Sequence, residues 1–160
     1  FASGVHNPPP GGLGSRGDLY DLGPSPRLAV WFVRDQRLFR ANRLSRSAAE
    51  AAGFEVASGV VDFQAQYGLE PATGELLWCN AGDAACMGAN DLSRVRSVRV
   101  AIVVRSDTME RDAVTPAAPR WTSAGVALYP GFAADPDAPK YRYRVYEASV
   151  PSRNLIWSAP

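Results

Sequence analysis

Residues Val95 to Ser106 carry the strongest folding constraint in the chain. Val98, Val100, Ile102 and Val104 fall on one side of an extended backbone, and Arg99, Ala101, Val103 and Arg105 on the other. A β-branched run of this length predicts a central strand, so the rest of the chain must supply its neighbours. Val61, Phe63, Ala65 and Tyr67 alternate with Asp62, Gln64 and Gln66, which predicts a half-buried strand with its apolar side inward. Tyr141, Tyr143 and Val145 alternate with Arg142, Arg144 and Tyr146, a last strand in which arginine stems lie along aromatic rings. Leu28 to Arg34 and Arg37 to Ala41 are β-rich runs parted by Asp35-Gln36 and read as a hairpin.

Helix is scarce. Ser45 to Gly53 supports at most two turns, stopped by Gly53. Residues 1–27 hold Pro8-Pro9-Pro10-Gly11-Gly12 and Gly23-Pro24-Ser25-Pro26, an extended or turn-rich segment. Residues 106–140 are rich in Asp, Pro and Ala and read as a long loop with a short strand at Gly125 to Tyr129. Neither a βαβ rhythm nor a repeat period is present, so a doubly wound nucleotide fold, a propeller and a solenoid are not expected. With 160 residues, 46% of them hydrophobic, the chain can bury one core. The expected class is α+β, mostly antiparallel β with long loops, in a single domain over residues 1–160.

The residues offer little chemistry. A formal net charge of +1 supplies no overall field for phosphates or an anionic bilayer, so nucleic acid is not the default partner. Apolar runs such as Val100 to Val104 fall far short of the roughly 20 residues that span a membrane. His6, the single histidine, sits in the Gly/Pro-rich segment, a poor place for a triad base that must be held and oriented. No nucleophile elbow, phosphate loop or dinucleotide fingerprint is present; Gly11-Gly12-Leu13-Gly14 comes nearest, without a preceding strand. Asp135-Pro136-Asp137 and the stretch Asp107 to Asp112 read as turns and solvated loops. No catalytic residue, cofactor or metal site is therefore assigned. Arg16-Gly17-Asp18 matches an integrin-binding tripeptide, and Asn80, Asp83, Asn90 and Asp91 could offer oxygen ligands to calcium, though not at EF-hand spacing.

Cys79 and Cys86 flank a short Gly/Asn/Asp/Ala loop. Such a pair is expected to form a disulfide in an oxidising compartment, worth about 2–3 kcal/mol by loop entropy. Free thiols and zinc are the alternatives, and zinc would need about four ligands.

Four segments in order resemble the PilW-like minor pilins of bacterial type IV pili. Leu19-Tyr20-Asp21-Leu22-Gly23-Pro24-Ser25-Pro26 looks like the family's LYNLG-x-x-P turn and is followed by a strand pair ending in Arg37-Leu38-Phe39-Arg40. Gly59 to Gly68 is similar to its GV-x-x-x-Q-x-QYG strand, and Val95 to Ser106 to its V-x-x-VR-x-x-x-x-x-RS strand. Tyr141 to Leu155 resembles its RNL ending, carried here by Arg153-Asn154-Leu155. The J-class pseudopilins of type II secretion share a related fold and are the nearest confusable family. The resemblance implies a pilin-like β domain from a longer, membrane-anchored precursor whose amino-terminal helix, absent from this chain, packs into the fibre. It further implies a non-enzymatic subunit of a priming or tip complex, with other minor pilins as partners, located at the inner membrane and periplasm and then in the extracellular pilus. A binding module for glycans, surfaces or DNA at a fibre tip is the alternative. Docking contacts are expected in the loops near residues 80–91 and 106–140, because strands usually spend their side chains on the core.

Overall fold

The computed structural model describes residues 27–70, 74–81, 83 and 94–152. Strands β1 (Ala29–Arg34), β2 (Arg37–Asn42) and β3 (Phe54–Ser58) form a small antiparallel sheet in that order, with helix α1 (Ala48–Ala52) between β2 and β3. A larger sheet follows from β4 (Val60–Leu69), β5 (Leu77–Asn80), β6 (Val95–Arg105) and β9 (Tyr143–Pro151), ordered β5-β4-β6-β9 and antiparallel throughout. Between β6 and β9 lie the two-residue strands β7 (Arg120–Trp121) and β8 (Val126–Ala127), then 3-10 turns at Pro130–Ala133 and Ala138–Lys140. Among the described residues no helix is long and apolar enough to cross a membrane.

The expected elements are present, with informative differences. Asp35 and Gln36 both adopt left-handed backbone, φ 49° and 58°, which makes the hairpin a two-residue turn of the type that matches strand twist. Asp tolerates this conformation, which is why Asp-Gln serves where Asn-Gly is the usual signal. Strand β3 was not expected; all five of its residues are exposed, so no buried face marks it in the sequence. Strand β5 was also unforeseen, being short and split between Leu-Leu-Trp and the cysteine loop. The last strand begins two residues later than expected and extends to Pro151.

The two sheets meet at Gly59. Its φ of +71° turns the chain from β3 into β4, and an added Cβ would lie 3.1 Å from the Arg105 carbonyl. The corner is tied by Val60 N–H to the Gln36 carbonyl, Arg105 N–H to the Gly59 carbonyl, and Arg105 Nη2 to Gln36 Oε1 at 2.6 Å.

The loop over 106–140 is the main departure. It forms a second layer on one face of the large sheet, burying Trp121, Leu128, Phe132 and Ala138. The core cluster is Ala101, Val103, Trp121 and Leu128, with Val61, Ala124, Tyr143 and Val145 packed against it. Its sequence carries no periodicity because single large residues, not a regular face, do the burying.

Candidate functional site

Residues opposite one another in an antiparallel ladder share a face, so the register sorts the large sheet into two sides. One side carries Asp62, Gln64 and Gln66 beside Val103, Ala101 and Arg99, which in turn lie beside Val145, Glu147 and Ser149. The other carries Phe63, Ala65 and Tyr67 beside Ile102, Val100 and Val98, then Tyr146, Ala148 and Val150. The expected polarity of β4 is inverted. Asp62 and Gln66 are buried, whereas Phe63, Ala65 and Tyr67 are only half-buried.

The covered side explains how polar groups come to be inside. Asp62 Oδ1 accepts from Phe63 N–H and Gln64 Nε2, each at 2.9 Å, and its Oδ2 accepts the Tyr129 N–H at 2.7 Å. That bond holds Tyr129 in left-handed backbone, φ 56°, where its ring meets Phe132 and Tyr143 at centroid separations of 6.2 and 6.0 Å. Burial raises the Tyr129 and Tyr143 phenol pKa values; Asp135 adds to the rise at Tyr129, and Tyr129 adds to it at Tyr143.

Arg99 forms the second tie. Its Nε and Nη2 donate to Gln66 Oε1 at 2.8 and 2.6 Å, and Nη1 donates to the Ser123 carbonyl at 2.9 Å. The guanidinium lies between two indoles, 4.4 Å from the Trp78 ring centroid and 5.3 Å from that of Trp121. Gly68 makes room, since a Cβ there would meet the Trp78 ring at 3.0 Å. Gln66 Nε2 donates in turn to Asn80 Oδ1, and Glu147 accepts the N–H groups of Thr122 at 2.7 Å and Ser123 at 3.2 Å. Burial lowers the Arg99 pKa, with Glu147 opposing; the bond from Ser123 lowers that of Glu147, against a smaller upward push from burial. The indole N–H of Trp121 is the one buried side-chain donor without an acceptor among the described residues.

Two of the segments that carry the family resemblance, Gly59 to Gly68 and Val95 to Ser106, thus meet at this layer and at the sheet corner. Gly59, Gln66, Gly68, Arg99 and Arg105 come from the two similar strands and fasten the loop layer or the sheet corner. Sequence reasoning missed Trp78, Trp121 and Glu147 as their partners. The available signal was a pair of tryptophans flanking segments otherwise poor in large apolar residues.

The opposite side is apolar, and among the described residues no comparable layer lies over its centre and β9 margin. Val98, Val100, Ile102 and Val104 are half-buried, a level that neighbouring side chains on a sheet reach by shielding one another. Along β9, Tyr146, Ala148 and Val150 are exposed, Val150 at 58%. At one end Leu69, Cys79 and Val95 form a small buried cluster with Tyr67 and Val98.

The remaining sequence candidates are dispersed. Cys79 is buried on β5 opposite Tyr67, while Cys86 lies outside the described residues. So do His6, Arg16-Gly17-Asp18, Asn90 and Asp91. No group of three metal-ligating side chains occurs among the described residues. Asp135 Oδ1 accepts the Asp137 N–H, Asp137 pairs with Lys140 at 2.7 Å, and Glu110 pairs with Arg142 at 2.9 Å, so these carboxylates shape turns and tie loop to strand. Among the described residues the large sheet therefore has one half-buried apolar face and one face covered by a second layer.

Comparison with known proteins agrees with the resemblance read from the four segments. Residues 31–154 match the family described as Type IV Pilus-assembly protein W, a span that takes in every described strand except the first two residues of β1. No curated protein and no solved structure is similar enough to match. The chain belongs to the PilW family of type IV pilus-assembly proteins.

Proposed function

We propose that this chain is the carboxy-terminal domain of a minor pilin that primes or caps the type IV pilus without catalysing a reaction. The observation that carries the reading is the face of the large sheet that is half-buried to exposed among the described residues, formed by Phe63, Ala65, Val100, Ile102, Val104, Tyr146, Ala148 and Val150, with Arg144 at its rim. A continuous apolar surface over several strands is an association surface, because leaving it in water forfeits roughly 25 cal/mol per Å². The occupant is the subunit's own amino-terminal helix together with neighbouring minor pilins. That helix anchors the precursor in the inner membrane, with this domain in the periplasm until assembly carries it into the extracellular fibre. A Cys79–Cys86 disulfide suits that compartment and steadies the loop at the closed end of the face.

The test is piliation of a strain lacking the gene. Loss of surface pili and of twitching motility, restored by the wild-type copy, is expected. Normal piliation in the deletion strain contradicts the reading.

A further inference from the structure

The small sheet carries a different kind of surface. Register places Trp31, Arg40 and Phe54 in one rung across β1, β2 and β3, and the Arg40 guanidinium lies 5.9 Å from the Trp31 ring centroid. Trp31 is 42% exposed and Phe54 59%. Beside the rung, Arg27, Arg40, Asn42, Glu50 and Phe54 line a shallow cavity of about 200 Å³, with two guanidinium groups against one carboxylate. Over residues 27–58 the count is Arg27, Arg34, Arg37, Arg40, Arg43 and Arg46 against Asp35, Glu50 and Glu55, a net of +3, in a chain whose total is +1. The outer edge of β3 pairs with no other strand among the described residues. A register shift between Leu38 and Phe39 leaves Val56 without a partner in β2.

We infer that the free edge of β3, with the Trp31–Arg40–Phe54 rung beside it, docks an acidic β-strand from another pilus-assembly subunit. This rests on the pilus-assembly reading above and names the chemistry of one partner. A strand added to β3 aligns its side chains with the existing rungs, so alternate residues lie beside Phe54 within reach of Arg40. The cationic excess selects Asp or Glu there, and the two aromatic rings accept the apolar side chain two residues away. On the other side of β3, Glu55 is already paired with Arg37 at 2.9 Å, so a carboxylate gains nothing on that face. Exposed Trp, Phe and Arg without Lys is the composition of an interface centre.

The experiment places a photo-crosslinking amino acid at Val56 of the full-length protein in piliated cells and identifies adducts by mass spectrometry. The expected adduct joins Val56 to a segment of another pilus-assembly subunit in which Asp or Glu alternates with apolar residues. Arg40→Glu should lower its yield at least tenfold and Arg40→Gln by less, with the thermal midpoint of both variants unchanged. Replacing the partner's carboxylate by Arg should restore the adduct to Arg40→Glu. Adducts only within the same chain, to a second copy, or to nucleic acid overturn the inference, as does no adduct or a yield indifferent to Arg40→Glu. Failure here with pili still lost in the deletion strain removes this docking site and leaves the pilus-assembly reading standing; normal piliation in that strain removes the reading itself.

Discussion

The two faces of the large sheet use opposite materials for opposite ends. The side that buries Asp62, Gln66 and Ser97 is closed by the layer of residues 106–142, and the side lined by valine, isoleucine and tyrosine is left half-open. The polar side is closed because its charged groups have partners in that layer, Asp62 on Tyr129, Arg99 on Ser123 and Glu147 on Thr122, while the Gln64 and Gln66 amides are satisfied within the sheet by Asp62, Arg99 and Asn80. Among the described residues the apolar side has no such ties, and its burial free energy is gained only when something covers it. Polarity within a strand therefore does not mark the outside of this domain; the availability of partners does.

Substitutions should separate the faces, beginning with Trp121→Ala. It removes the largest side chain of the core and is expected to cost roughly 3–5 kcal/mol in urea unfolding. Ile102→Ala on the open side should cost only about 1 kcal/mol in the same chain, since a half-exposed side chain loses little on truncation. Equal costs would erase the distinction between the faces.

Asp62→Ala is expected to cost about 2 kcal/mol, because the Tyr129 N–H and Gln64 amide lose their acceptor. The loss should appear as faster amide exchange at Tyr129 and in the turn at Pro130–Ala133. If exchange there is unchanged, Asp62 does not hold the layer.

Smaller effects probe how the layer is fastened. Arg99→Lys keeps the charge but loses the planar group between Trp78 and Trp121, and is expected to cost roughly 1–2 kcal/mol with a change in tryptophan emission. Glu147 has a folded pKa below its ordinary 4.5, so the stability it adds is present above that value and drains away as pH falls through the folded pKa. Glu147→Gln should flatten this acidic slope and lower the neutral-pH unfolding midpoint, since the contribution it removes is the one present there. An unchanged slope would locate the acid sensitivity elsewhere.

Much of the sheet was legible because a two-residue period survives whatever covers it; β6 and the β1–β2 hairpin followed from alternation and the Asp35-Gln36 break. Which side would be buried was not legible. The apparent inside of β4, Phe63-x-Ala65-x-Tyr67, is the open side, because covering Asp62 and Gln66 depends on Trp121, Tyr129 and Ser123, residues more than fifty positions away. Strand β3 was illegible because an exposed edge needs no pattern. Docking is expected in the loops near residues 80–91 and 106–140, and the second of these also supplies core side chains, which its sequence does not announce.

The central claim is most directly tested by the accessibility of the open face before and after assembly. Ala148→Cys places a thiol on that face at the exposed margin of β9, with the unsubstituted chain reporting any background from Cys79 and Cys86. Fast maleimide labelling is expected for the purified, unassembled protein, and labelling at least tenfold slower in assembled pili. Equal rates in the two states would contradict the central claim.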